Sequence, residues 1–147
     1  MSNDQLIRET LAELEAVGNY ARLRQFTQHG RHSVYAHSVS VAALALRIAE
    51  RMPGAVDYRS LVRGALLHDY FLYDWHVKDK SRPNHALHHA RLALENARRD
   101  YDINDIEADI IGCHMFPVVP TPPRTKEGWI VCMADKISAA GETVKRR

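Results

Sequence analysis

An all-α fold is predicted by three features of the 147-residue sequence. Apolar residues recur at intervals of three and four along most of its length. Strict period-two alternation is scarce, and Gly, Pro and cap-forming residues divide the chain into helix-length segments. Asn3 or Asp4 is expected to cap a first helix running to about Ala16, which Gly18 ends. A short helix is expected over Tyr20 to Gln28, with Gly30 breaking the chain after it. Ser33 is an N-cap for a long helix to about Met52, terminated by Pro53 and Gly54. Asp57 starts a helix reaching about Asp69 or a little beyond, followed by a loop over roughly Asp74 to Pro83. Asn84 caps a helix from His85 to about Arg99, and Asn104 begins another that ends near Met115. Pro117, Pro120, Pro122 and Pro123 exclude helix and predict an ordered loop or lid. A last helix runs from about Lys126 to Val144, and Lys145, Arg146 and Arg147 form a solvated basic tail.

Bulk properties narrow the function classes. At 46% hydrophobic and 26% charged residues, the composition is that of a soluble globular protein, and the length fits one domain over residues 1–147. A formal net charge of +2 is too mild to predict a nucleic-acid polymer or a membrane as partner. Cys113 and Cys132 are far apart and form no CxxC, so free thiols in a reducing compartment are expected. The N-terminus lacks the unbroken apolar run of a signal peptide, and no stretch approaches the roughly 20 apolar residues of a membrane-spanning helix. The expected location is the cytoplasm. The oligomeric state is not encoded in any pattern of this kind.

Six metal-capable residues occupy positions where apolar side chains would ordinarily stand. His37 lies on the stripe Val34, Val41, Ala45, Ile48; His68 falls between Ala65 and Leu72, and Asp69 follows Ala65 by one turn. His89 shares a face with Ala86, Ala93 and Ala97. His114 continues the series Ile103, Ile106, Ile110, and Asp135 is bracketed by Val131 and Ser138. One core histidine is usually just hydrogen-bonded to a carbonyl. Six such groups aimed inward from five helices are costly unless they share a partner, and a metal centre is the simplest one. His85 shares the face of His89 and is expected either behind a ligand or beside the substrate, whereas His88 is expected to point outward.

This ordered set resembles the HD-domain superfamily of metal-dependent phosphohydrolases. The resemblance runs from about His29 to Ala140. It is carried by His37 in SVYAHSVSVAALAL, by His68-Asp69 in GALLHDY and by Asp135 in VCMADKISA. His89 in HHARLALENA and His114 in GCHMFP are similar to the two extra histidines of the dinuclear members. Ala90 departs from the pattern, since many dinuclear relatives carry proline there, and the GYP-containing stretch of the cyclic-dinucleotide phosphodiesterases is absent. The resemblance implies a compact helical bundle around a metal centre. It implies that His37, His68, Asp69 and Asp135 hold a first metal, and that Asp69 bridges to a second held by His89 and His114.

Imidazole and carboxylate donors without thiolates suit two divalent transition-metal ions, Fe, Mn, Co, Ni or Zn, better than Ca. Two divalent ions against two aspartates leave a centre of about +2, which favours a bridging hydroxide and a small anionic phosphorylated substrate. The expected reaction is attack of that hydroxide on a phosphomonoester or phosphodiester of a small molecule or nucleotide. Asp69, Lys136 and Asp74 are the catalytic candidates, Asp74 either as a proton donor to the leaving group or as a capping residue where the loop starts. Lys80, Arg82, Arg124 and His85 are the candidate substrate contacts, and Trp75 and His76 are candidate pocket walls. The alternative is a diiron oxygenase cleaving a C–C or C–P bond, because relatives with the same ligand order do so; Tyr35 would be the nearby tyrosine for either chemistry. A regulatory module that only binds metal is the third reading, and the intact ligand set speaks against it.

Overall fold

Helix caps at Ser33, Asp57 and Asn104 fix three of the helices where the sequence puts them. The computed structural model describes residues 1–29, 32–72 and 85–145. They form α1 (Asn3–Ala16), a 3-10 helix (Tyr20–Gln25), a small antiparallel hairpin of β1 (Thr27–His29) with β2 (His32–Ser33), then α2 (Val34–Glu50), α3 (Tyr58–Leu67), α4 (His85–Asp100), α5 (Asp105–Cys113) and α6 (Lys126–Lys145). The Ser33 hydroxyl accepts from the Ala36 N–H at 3.0 Å, and an Asp57 carboxylate oxygen accepts from the Ser60 N–H at 3.1 Å. At α5 the arrangement is a reciprocal capping box. The Glu107 N–H donates to the Asn104 side chain at 2.8 Å, and the Glu107 carboxylate accepts the Asn104 N–H at 3.1 Å. Among the described residues, no helix is long and apolar enough to cross a membrane.

Two expectations need correction. The first helix is capped by Ser2, not by Asn3 or Asp4: its hydroxyl accepts from the Gln5 N–H at 3.1 Å, so the helix starts one or two residues earlier. The segment after Gly18 is a 3-10 helix that stops at Gln25, and the chain then turns into the hairpin. Tyr20 and Leu23 are the two buried residues of that segment. They lie three apart, the 3-10 repeat, so a tighter coil buries both.

The core lies between α2, which packs on α3 and α6, and α5, which packs on α3, α4 and α6. Leu46, Leu61, Leu66, Leu67, Ile110, Ile111 and Ile130 are fully buried within it. The helices α3 and α5 also share their N-terminal polar contacts. The Asn104 side-chain amide donates to the Ser60 hydroxyl at 2.8 Å, and Arg63 bridges the Glu107 carboxylate and the Asp102 carbonyl at 2.8 and 2.9 Å. A carboxylate of Glu127 in α6 accepts from the Asp57 N–H at 2.8 Å. These contacts set three helix starts in register, so the far ends of α3 and α5 arrive together.

Gly64 makes that close approach possible. A Cβ there would stand 2.6 Å from Ile110 Cδ1 and 3.0 Å from Ile110 Cβ and Cγ2. Overpacking of this kind costs about 1–3 kcal/mol, while alanine returns about 1 kcal/mol of helix propensity. Gly64→Ala is therefore expected to destabilise the fold by up to about 2 kcal/mol, read as a lower urea midpoint at an unchanged m-value. A variant more stable than the parent would show that α3 and α5 move apart at no packing cost.

The chain leaving α3 is held from several sides. The Asn96 amide donates to the carbonyls of Tyr70 and Phe71 at 3.2 and 3.0 Å. The Tyr70 hydroxyl donates to Asp100 at 2.6 Å and accepts the Asn19 N–H at 2.8 Å. Leu72 adopts a left-handed φ of 61°, a conformation costing about 1–2 kcal/mol for a non-glycine residue. The fixed stretch begins one residue after Asp69, which ties the site to the fold.

Candidate metal centre

All six candidate ligands converge. His37, His68 and His114 are fully buried, Asp69 and His89 are 1% and 6% exposed, and the Asp135 side chain is 14% exposed. His37 lies in the second turn of α2, His89 in α4 and Asp135 midway along α6. The other three are not on helix stripes as expected. His68 and His114 are the C-cap residues of α3 and α5, and Asp69 follows the first of them. A helix end places a side chain as firmly as a helix middle here, because each cap histidine uses its own ring to close the helix.

Those ring contacts fix the chemistry. His68 Nδ1 lies 2.6 Å from the Ala65 carbonyl, and His114 Nδ1 lies 2.8 Å from the Ile111 carbonyl. A carbonyl only accepts, so both Nδ1 atoms carry hydrogen and both Nε2 atoms face the centre. His37 Nδ1 meets the buried carboxylate of Glu142 at 2.9 and 3.0 Å, and its Nε2 lies 2.8 Å from Asp135 Oδ1. Asp135 Oδ1 is also 3.2 Å from His68 Nε2.

Asp69 joins two halves. Its Oδ2 is 3.3 Å from His68 Nε2 and 3.7 Å from His37 Nε2, while its Oδ1 is 3.3 Å from His89 Nε2 and 3.4 Å from His114 Nε2. One group of donors is therefore His37, His68, Asp69 and Asp135, and a second is Asp69, His89 and His114. Within each group the donor atoms lie within 4.8 Å of one another. The chain belongs to the HD domain family. The match covers residues 34–140, from the start of α2 well into α6. Over 133 residues the chain is 32% identical to Ribonuclease Y of Treponema pallidum (strain Nichols), covering 90% of this chain and 23% of that protein. It thus spans about a quarter of the length of this curated relative. No solved structure gives a significant match.

The residues of this HD domain fit metal ions on chemical grounds. His114 Nε2 approaches His89 Nε2 to 2.9 Å. Since His114 gives its Nδ1 hydrogen to a carbonyl, its neutral ring offers a lone pair at that contact. The approach needs something between the two nitrogens, either the hydrogen of a His89 Nε2–H or a metal ion. In the other half the facing groups are carboxylates, and these do call for positive charge. Burial disfavours a charged His37, but its contacts with Asp135, Glu142 and Asp69 outweigh that and raise its pKa to about 9. His68 shows the same competition, with burial opposed by Asp69 and Asp135 and a net rise. Burial also opposes ionisation of Asp69 and Asp135, yet His68 and the other facing imidazoles hold both carboxyls well below their ordinary value. Without metal, protons supply the positive charge that these carboxylates require; a divalent cation supplies it in their place.

The remaining candidates fall in different places. The Lys136 ammonium donates to the His114 carbonyl at 3.1 Å and lies 3.1 Å from Cys132 Sγ. It is thereby held beside the α5 terminus, one residue from Asp135. Arg124 lines a cleft of about 560 Å³ between α4, α5 and the proline-rich loop, shared with Leu94, Arg98, Ile106 and Cys113, and none of the six ligand candidates lines it. Its main-chain N–H is held by Asp109 at 3.0 Å. Tyr35 places its ring under the Arg24 guanidinium at 4.0 Å and 5.6 Å from the Tyr20 ring. His88 is half-buried. Asp74, Lys80 and Arg82 lie outside the described residues, as do Trp75, His76 and the side chain of His85.

Two residues of the centre escaped sequence reasoning. Asn96 anchors the carbonyls after Asp69, and Glu142 contacts His37 across 105 residues of sequence. For Glu142 a signal existed: it follows Asp135 by seven residues and so shares its face of α6. No spacing rule announces Asn96.

Proposed function

We propose that this HD domain is a phosphohydrolase using two divalent transition-metal ions to cleave a phosphoester of a small molecule or nucleotide. The observation that carries the proposal is Asp69, whose two oxygens face two separate histidine pairs at 3.3–3.7 Å. Ions bound by these residues would acidify water and stabilise charge on a transferring phosphoryl group. The chain's own part is to hold the donors and to leave one side open. Asp135, 14% exposed where its fellow ligands are closed off, is at the accessible side of the cluster. Lys136 follows it with an ammonium beside His114, where a cation supports an anionic ester. Family membership supports metal-dependent hydrolase chemistry.

Similarity to Ribonuclease Y supports a phosphodiester among the substrates, and it makes RNA a substrate to test beside small esters. The donor set serves the diiron oxygenase reading equally well, but Tyr35 lends it no support, since its ring is spent on Arg24 and Tyr20. The deciding assay uses protein reloaded with Mn, Co, Ni or Fe against p-nitrophenyl phosphate, bis(p-nitrophenyl) phosphate and a short oligoribonucleotide. Hydrolysis that EDTA abolishes and added metal restores is the expected result. Metal-loaded protein inert on all three, yet consuming oxygen with a phosphonate or polyol, would replace the hydrolase with the oxygenase.

A further inference from the structure

Glu142 is 6% exposed, and among the described residues no lysine or arginine pairs with it. A buried carboxylate is costly without a compensating partner. Its partner is His37, whose Nδ1 stands 2.9 and 3.0 Å from the two carboxylate oxygens. We propose that Glu142 is a positioning residue of the metal centre: it holds the Nδ1 hydrogen of His37, so that Nε2 is the nitrogen turned towards Asp69 and Asp135. The inference rests on the metal-binding reading above and extends it to a residue outside the ligand set.

Three features support this role. His68 and His114 have the same ring nitrogen committed in the same way, but to main-chain carbonyls of their own helix ends. His37 lies inside α2, where the carbonyls are occupied by the helix, so the equivalent acceptor has to come from elsewhere. Glu142 supplies it from α6. That helix also carries Asp135, and seven residues of helix, about 10 Å of rise, separate the two acids on one face. They hold His37 from opposite ring nitrogens, Asp135 at Nε2 and Glu142 at Nδ1.

Unlike a carbonyl, Glu142 brings a full charge. With Asp69 and Asp135 it makes three carboxylates, so two divalent ions would leave a net charge of about +1 rather than the +2 expected from the ligands alone. A carboxylate behind a ligating imidazole raises its basicity and its hold on a metal, and loss of such a partner typically weakens binding 10- to 100-fold.

The test is chelator competition for zinc, read together with the ¹⁵N shifts of the His37 ring in the zinc-loaded protein. Glu142→Ala is expected to weaken binding 10- to 100-fold and to remove the Nδ1–H preference of His37. Glu142→Gln keeps an accepting oxygen, so it is expected to restore the tautomer while leaving zinc about tenfold weaker. Wild-type affinity and an unchanged His37 tautomer in Glu142→Ala would overturn the proposal. If that variant does not fold, wild-type zinc affinity in the near-isosteric Glu142→Gln overturns it instead. Should the unmodified protein bind no zinc at all, the metal-binding reading falls, and the role of Glu142 with it. That outcome is distinct from two ions bound equally well with and without the glutamate.

Discussion

Asp69→Ala is expected to reduce bound metal from two ions per chain to less than one and to lower phosphoester hydrolysis by about 10³-fold or more. Removing any other candidate ligand takes one donor from one half of the cluster. Removing Asp69 takes a donor from both, since Oδ2 faces His37 and His68 while Oδ1 faces His89 and His114. It also deletes one of only two acidic ligands, leaving four imidazoles to share Asp135. Asp69→Asn separates charge from shape: the amide fills the same space but offers one accepting oxygen and no charge, so both ions should again be lost. Metal analysis by mass spectrometry, with activity measured in parallel, checks both variants. Removing one member of a buried ionic cluster costs about 3–5 kcal/mol, since its partners stay behind. The thermal midpoint of both variants in EDTA is therefore expected to fall, and metal content is read at a temperature where circular dichroism shows each variant folded. Two ions retained by Asp69→Ala would mean that the halves do not depend on the shared carboxylate.

What the sequence makes legible here is whatever has a period or a local partner. Ser33, Asp57 and Asn104 cap helices by bonding main-chain groups three residues on, so the signal is complete within four residues. The inward placement of His37, His89 and Asp135 follows from 3.6-residue spacing alone. His68 and His114 are inward for a different reason. Each is the last residue to benefit from its helix, turned by a bond from its own ring to the carbonyl three residues back. Helical spacing extended past the helix end happens to predict the right direction. The pairing of Thr27–His29 with His32–Ser33 is not legible. With three and two residues in its strands, it is too short for alternation to register, and the Val34 N–H joins it to the Phe26 carbonyl at 2.7 Å only in the folded chain. Asn96 and Glu142 act over 25 or more residues of sequence, through pairs for which residue type carries no directional signal.

The two-metal proposal is tested most sharply at His114. His114→Ala is expected to leave one ion, held by His37, His68, Asp69 and Asp135, and to lower hydrolysis by about 10²-fold. The second group has only three donors, Asp69, His89 and His114. Losing one leaves two, too few to hold a divalent ion against water. The first group keeps all four of its donors, because His114 is not one of them: it touches that group through Asp69 Oδ1, 3.4 Å from its Nε2, and through ring packing on His68, with centroids 4.8 Å apart. Alanine also frees the Ile111 carbonyl from the ring, but a C-terminal carbonyl at a helix end readily accepts water instead. His89→Ala should give the same stoichiometry by removing the facing nitrogen, 2.9 Å away. In Mn-loaded protein the electron paramagnetic resonance spectrum should change from that of a coupled pair to that of an isolated ion in both variants. If either variant instead loses both ions, the six residues bind as one indivisible cluster. If either keeps two, the second ion sits elsewhere and Asp69 is not its bridge.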